Sequence, residues 1–177
     1  EGGELQTGHL SIILFSVLIG GMVHIISSNG GMNGIVAKVS KLATSARRTQ
    51  LATMLMGCLI FFDDYANSLV VGNTMRPLTD KFKISREKLA YIVDSTAAPI
   101  ASVAFVTTWI GYQLSEIEKG LAVQNYVQIQ ESAYGIFLGS LKYAYYPLFT
   151  LFFMLLLIIS KRDFGPMRKA ELKSRSG

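Results

Sequence analysis

Three stretches of this chain, residues 10–37, 95–115 and 143–160, contain no Asp, Glu, Lys or Arg. A helix crossing the roughly 30 Å hydrocarbon core of a bilayer needs about 20 mostly apolar residues. Core helices of soluble proteins rarely stay uncharged for so long. Three such stretches in 177 residues predict an all-α membrane protein. Composition says less, because a soluble domain can also be half hydrophobic. The single cysteine, Cys58, excludes an internal disulfide, and its apolar neighbours predict a packed, unreactive thiol. Cys58, His9 and His24 share no ligand spacing, so no zinc site is expected, and His24 reads as an interior histidine. The chain begins at Glu1 without a basic leader and ends in a basic polar tail, so it is expected to be an excerpt of a longer protein.

Four apolar regions alternate with polar ones. A first span is expected over residues 10–28, stopped by the structural break Gly30-Gly31, since glycine tolerates a left-handed helix cap. Residues 33–48 set Ile35, Val36, Val39, Leu42 and Ala43 against Lys38, Lys41, Arg47 and Arg48. That spacing predicts an amphipathic helix, lying either in the membrane interface or in a solvated loop. Residues 49–62 are apolar but too short to span, and the polar run Asp63-Asp64-Tyr65-Ala66-Asn67-Ser68 follows. A short apolar piece then leads to Gly72, with Asn73 and Thr74 expected to mark an exit turn. Residues 89–114 are long enough to span but contain Asp94-Ser95-Thr96 and Pro99. Proline removes a backbone donor and clashes with the preceding turn, so this helix is expected to break near its middle. A last span covers 134–160, with Lys142 snorkelling and Tyr143, Tyr145 and Tyr146 in an aromatic belt; 161–177 form a cytoplasmic tail.

The bias of basic residues sets orientation. Lys and Arg number four in 38–48, five in 76–88 and six in 161–175, against none in 1–9 and one in 116–131. Basic loops stay cytoplasmic. The second region has basic segments on both sides and therefore should not cross. It is expected to be a re-entrant hairpin over 49–74 with its tip at the acidic pair.

Irregular backbone at membrane depth survives only where it is buried in protein or lines a watery cavity. Transporters use such breaks, whose helix ends supply dipoles and free carbonyls for ions. A charge at that depth costs about 2.5–3.5 kcal/mol on insertion scales and is usually functional. Asp63, Asp64 and Asp94 are therefore the expected ion-binding acids. A hard sodium ion prefers oxygen ligands, which Asn67, Ser68, Ser95 and Thr96 would add. Competition of H⁺ and Na⁺ for the same oxygens is a full exchange mechanism without a covalent step. The plainer reading is that one of Asp63 and Asp64 caps the second arm and that Asp94 is an interfacial charge.

The run Leu59-Ile60-Phe61-Phe62-Asp63-Asp64-Tyr65-Ala66-Asn67-Ser68, then Val71-Gly72-Asn73-Thr74-Met75-Arg76-Pro77-Leu78-Thr79-Asp80, resembles the NhaC-type sodium/proton antiporter family. So do Ile84-Ser85-Arg86-Glu87-Lys88-Leu89-Ala90-Tyr91-Ile92-Val93-Asp94-Ser95-Thr96-Ala97-Ala98-Pro99 and Arg162-Asp163-Phe164-Gly165-Pro166-Met167. The resemblance implies a multi-pass protein of the bacterial inner membrane with two inverted repeats, each holding a re-entrant hairpin and a discontinuous helix. This chain would supply one repeat, and its partners would be the lipid bilayer, the other repeat and a second copy in a homodimer. Related symporters carry Ser-Asn-Thr at both breaks; the extra acids here favour a cation site.

The expected function is Na⁺/H⁺ exchange by alternating access, with no cofactor beyond the transported ions. One rival is a sodium-coupled carrier of an organic acid or amino acid. Another is a membrane scaffold subunit that transports nothing. No nucleophile–base pair or metal motif suggests an enzyme, and the basic residues lie in loops rather than in a patch suited to nucleic acid.

Overall fold

The structure is a computed structural model that describes residues 14, 17, 18, 21, 25, 28, 29, 38, 39, 41–105, 107–123 and 131–176. Among the described residues it is all-helical, without a strand. Gly30 and Gly31, His24 and most of the expected first span lie outside them. The residues that are described between 14 and 28 are helical, and Leu14, Val17, Leu18 and Ile25 expose one apolar face at helical spacing.

Lys38 and Val39 are helical, but residues 41–45 are not. The helix expected over 33–48 is therefore interrupted, because Ser45 starts a new one. Its backbone is extended and its Oγ accepts from the Arg48 N–H at 3.3 Å, so Arg47 and Arg48 belong to helix α1, Ala46–Leu59. After a break at residues 60–63 comes α2, Asp64–Lys81. The exit turn expected at Asn73 and Thr74 does not form. α2 continues through Pro77, and Thr74, Met75 and Leu78 are buried on its packed face. It ends at Lys83, left-handed at φ 53°, with the Ile84 N–H reaching Thr79 O and the Lys83 N–H reaching Asp80 O. Those two bonds are a Schellman closure.

Helix α3, Arg86–Val103, starts at Ser85, whose Oγ accepts from the Lys88 N–H at 3.1 Å. It runs unbroken through Asp94, Ser95, Thr96 and Pro99, against expectation. The physical reason is packing. α3 lies against α1, α2 and a later helix, α6 (Tyr145–Ser160), burying Ile92, Val93, Ser95, Thr96, Ala97, Pro99 and Ala101. The discontinuity comes later, where Ala104 is extended before a separate helix, α4, Thr108–Val123. The sequence Val103-Ala104-Phe105-Val106-Thr107-Thr108 is rich in β-branched residues, which are stiff at χ1 and favour extended backbone.

The apolar segment expected as the last span is bent. Helix α5, Ala133–Ser140, passes through a 3-10 turn, Leu141–Tyr143, before α6. The axes differ by 44° across Ala144. Pro147 explains the bend: its ring crowds the carbonyl four residues back and is tolerated only in the first turn of a fresh helix. α6 stops at Lys161, left-handed at φ 57°. Within the segment expected to be a cytoplasmic tail lies a helix, α7, Gly165–Ser176, which packs on α3.

No single helix among the described residues is long and apolar enough to cross a membrane, while the bent pair on either side of Ala144 meets the length and apolarity test together. Two apolar clusters hold the bundle. Val71, Met75 and Leu78 of α2 meet Leu89 and Val93 of α3 beside Ala52, and Ile92 meets Met154 and Ile158 of α6. One end of the bundle gathers the start of α1, the end of α2, the start of α3 and α7. There Lys88 pairs with Asp163, Glu171 Oε1 accepts from the Ser85 N–H at 2.8 Å, and Lys83 reaches Arg175 O. α1 and α2 thus form a hairpin with both feet at this basic end.

A candidate ion site at the hairpin tip

α1 has 14 residues, so at 1.5 Å per residue the tip stands about 21 Å from the hairpin's feet. The Ile60 N–H donates to Met56 O, and the chain then turns through Phe61 and Phe62. Asp63 is extended (φ −157°, ψ 132°), and its Oδ1 accepts from the Ala66 N–H at 2.7 Å. It therefore caps α2 while only 4 % exposed. Asp64, the first residue of α2, adds a second carboxylate at the positive end of the helix dipole.

Asn67 joins the two arms. It is fully buried, and its Nδ2 donates to Gly57 O at 2.6 Å and to Ile60 O at 2.9 Å. Both carbonyls sit at the C-terminal end of α1, where intrahelical partners run out. The other side of the same amide is different. Asn67 Oδ1 is buried without a hydrogen-bond partner. A buried acceptor left unpaired costs about 1–3 kcal/mol and calls for a ligand or donor.

Gly57 is also where α1 meets α3, since a Cβ there would collide with the Thr96 side chain. Thr96 and Ser95 are buried, with Thr96 Oγ1 turned back on its own helix to Ile92 O and Val93 O, each at 3.0 Å. Asp94 points elsewhere. At about 100° per residue in a regular helix it stands nearly opposite Thr96, exposed in a groove of about 370 Å³ between α2 and α3. Ser68, Asn73 and Arg76 share that groove. The expected convergence of Asp94, Ser95 and Thr96 on one point fails because α3 does not break there. Among the described residues no group of three or more His, Cys, Asp or Glu is arranged to hold a metal ion, so Asp63, Asp64 and Asp94 do not form a three-carboxylate cage.

The true discontinuity of the chain comes to the tip instead. Trp109 Nε1, in the first turn of α4, donates to Asp64 Oδ1 at 3.3 Å. Phe105 O, within the break, accepts from Tyr134 OH at 3.3 Å, and Thr107 Oγ1 is buried without a partner. Sequence reasoning missed Gly57, Phe105, Thr107 and Trp109. The β-branched run at 103–108 was the local signal available for the break, whereas only the assembled bundle brings Trp109 to Asp64.

No protein-family model matches the chain, and no solved structure matches it. Over 169 residues, 96 % of its length, the chain is 30 % identical to a Haemophilus influenzae protein described as uncharacterized. The chain spans about a third (32 %) of the length of that curated relative.

Proposed function

We propose that this chain is part of a secondary transporter of the NhaC type that exchanges Na⁺ for H⁺ across the bacterial inner membrane, with the α1–α2 hairpin as a re-entrant element. The observation that carries the reading is the tip itself: Asp63, Asp64 and the unpaired Oδ1 of buried Asn67 together at the meeting of two helix ends. One arm too short to span and a second not apolar enough to cross, with both feet among the basic residues, support entry and return on the cytoplasmic side. Exposed apolar side chains support lipid contact, among them Leu55 and Leu59 on α1 and Phe149, Phe152 and Phe153 on α6. The remaining two thirds of the relative's length leave room for a second repeat.

In this mechanism Na⁺ is the cargo. Asn67 Oδ1, the tip carboxylates and end-of-helix carbonyls replace its water, and a proton taken up by the carboxylates releases it. Trp109 holds the Asp64 carboxylate in position, and Asp94 in the α2–α3 groove offers a second negative charge along the approach. Arg76 in the same groove favours a second reading, a sodium-coupled carrier of an organic anion, because an arginine there would pair with a carboxylate.

Vesicles containing the full-length protein test the proposal. Sodium added outside should restore the fluorescence of a quenched pH dye, and Asp63→Asn with Asp64→Asn should abolish that recovery. Unchanged exchange in the double variant would end the assignment. Sodium-dependent uptake of a labelled organic acid without proton release would favour the carrier.

A further inference from the structure

At the foot of α6 the chain builds a hollow of about 380 Å³ from the loop after Lys161 and one face of α7. Four cations line it: Lys161, Arg162, Arg168 and Arg175. Its two acids are already engaged. Asp163 pairs with Lys88, which is 1 % exposed, and Glu171 accepts from the Ser85 N–H and from Arg175 Nη2 at 3.2 Å. Lys161, Arg162 and Arg168 form no ion pair among the described residues. Lys161 also lines a neighbouring hollow of about 290 Å³ with Arg47 and Gln50, so the basic floor continues towards α1.

An apolar strip begins at the lip of this basic floor. Phe164, just before α7, packs its ring against Phe153 with centroids 5.9 Å apart, and Phe152, Leu156 and Ile159 continue exposed along α6. A ligand fitting both parts carries an anionic, phosphate-bearing head and a hydrocarbon tail. Arginine's planar fork suits phosphate oxygens, and each cation near an anionic lipid surface strengthens attraction appreciably.

We propose that this hollow binds the phosphate headgroup of an anionic phospholipid, whose acyl chain lies along the exposed face of α6. The proposal rests on the membrane reading of the chain. Because α7 forms one wall and its Glu171 caps α3, a bound headgroup would hold α7 in its docked position against the base of α3.

The test is melting of the full-length protein, purified in a neutral detergent, against phosphatidylglycerol, phosphatidylcholine with the same acyl chains, and inorganic phosphate. Phosphatidylglycerol should raise the melting temperature and phosphatidylcholine should not. Arg162→Gln with Arg168→Gln should weaken the apparent affinity for phosphatidylglycerol roughly 30-fold, about fivefold per arginine. Equal shifts from both lipids, or from inorganic phosphate alone, would overturn the lipid site. Should the double variant fail to fold, the wild-type comparison of the three ligands still decides. Recovery of the protein in the soluble fraction without detergent would instead overturn the membrane reading, whereas a detergent-extracted protein indifferent to phosphatidylglycerol would overturn the lipid site alone.

Discussion

Gly57 lies directly under Thr96: a Cβ at position 57 would stand 2.6 Å from Thr96 Cβ. The absence of a side chain lets α1 approach α3 at the level where Asn67 holds Gly57 O. Gly57→Ala would ordinarily stabilise a helix by up to about 1 kcal/mol. Here the collision should reverse the sign, with overpacking costing about 1–3 kcal/mol. A lower melting temperature for Gly57→Ala, partly restored when combined with Thr96→Gly, is the expected result; a rise for the single variant would contradict the contact.

Asn67 holds two carbonyls with one amide. Asn67→Leu removes both bonds and strands Gly57 O and Ile60 O in the interior, at about 1–3 kcal/mol each. Denaturant melts should show that loss. Ion exchange should fail even where the variant still folds, because the unpaired Oδ1 goes with the amide.

Lys88 and Asp163 form a buried ion pair that ties the start of α3 to the loop after α6. Lys88→Met alone should destabilise by about 3–5 kcal/mol, since it abandons a charge in a shielded site. Lys88→Met with Asp163→Leu should recover much of that. Melts in 0.1 M and 1 M salt, read against the exposed Arg86–Asp80 pair, should show little salt dependence for the buried one. A strong salt dependence would mean the pair is solvated.

Glu171 is the contact by which α7 caps α3, with its carboxylate on the Ser85 N–H and on Arg175. Glu171→Ala should leave that N–H unpaired and free α7 from the bundle. Limited proteolysis should then cut faster near Gly165, where φ is +56°. An unchanged digestion pattern would show that α7 is held by other contacts.

Local signals served well wherever the deciding physics is local. Asp63 was legible as a cap candidate because a short carboxylate at a helix start satisfies orphan N–H groups wherever it occurs. The polar interruption after residue 62 was likewise visible as a place for a helix to stop, since Asp and Asn compete with the helical backbone. Pro99 misled for the opposite reason. An interior proline costs about 3 kcal/mol in an isolated helix, but α3 buries a whole face against three neighbours and outweighs that cost.

What the sequence determined by itself is that the described chain is helical, because long uncharged runs and side-chain caps act within a few residues of their cause. Tertiary structure decided that α3 stays whole through Pro99, which faces Asp94 and Thr96 take, and that Trp109 reaches Asp64. Those outcomes depend on packing among residues far apart in the chain, where the burial of one helix face against several others exceeds any single residue's preference.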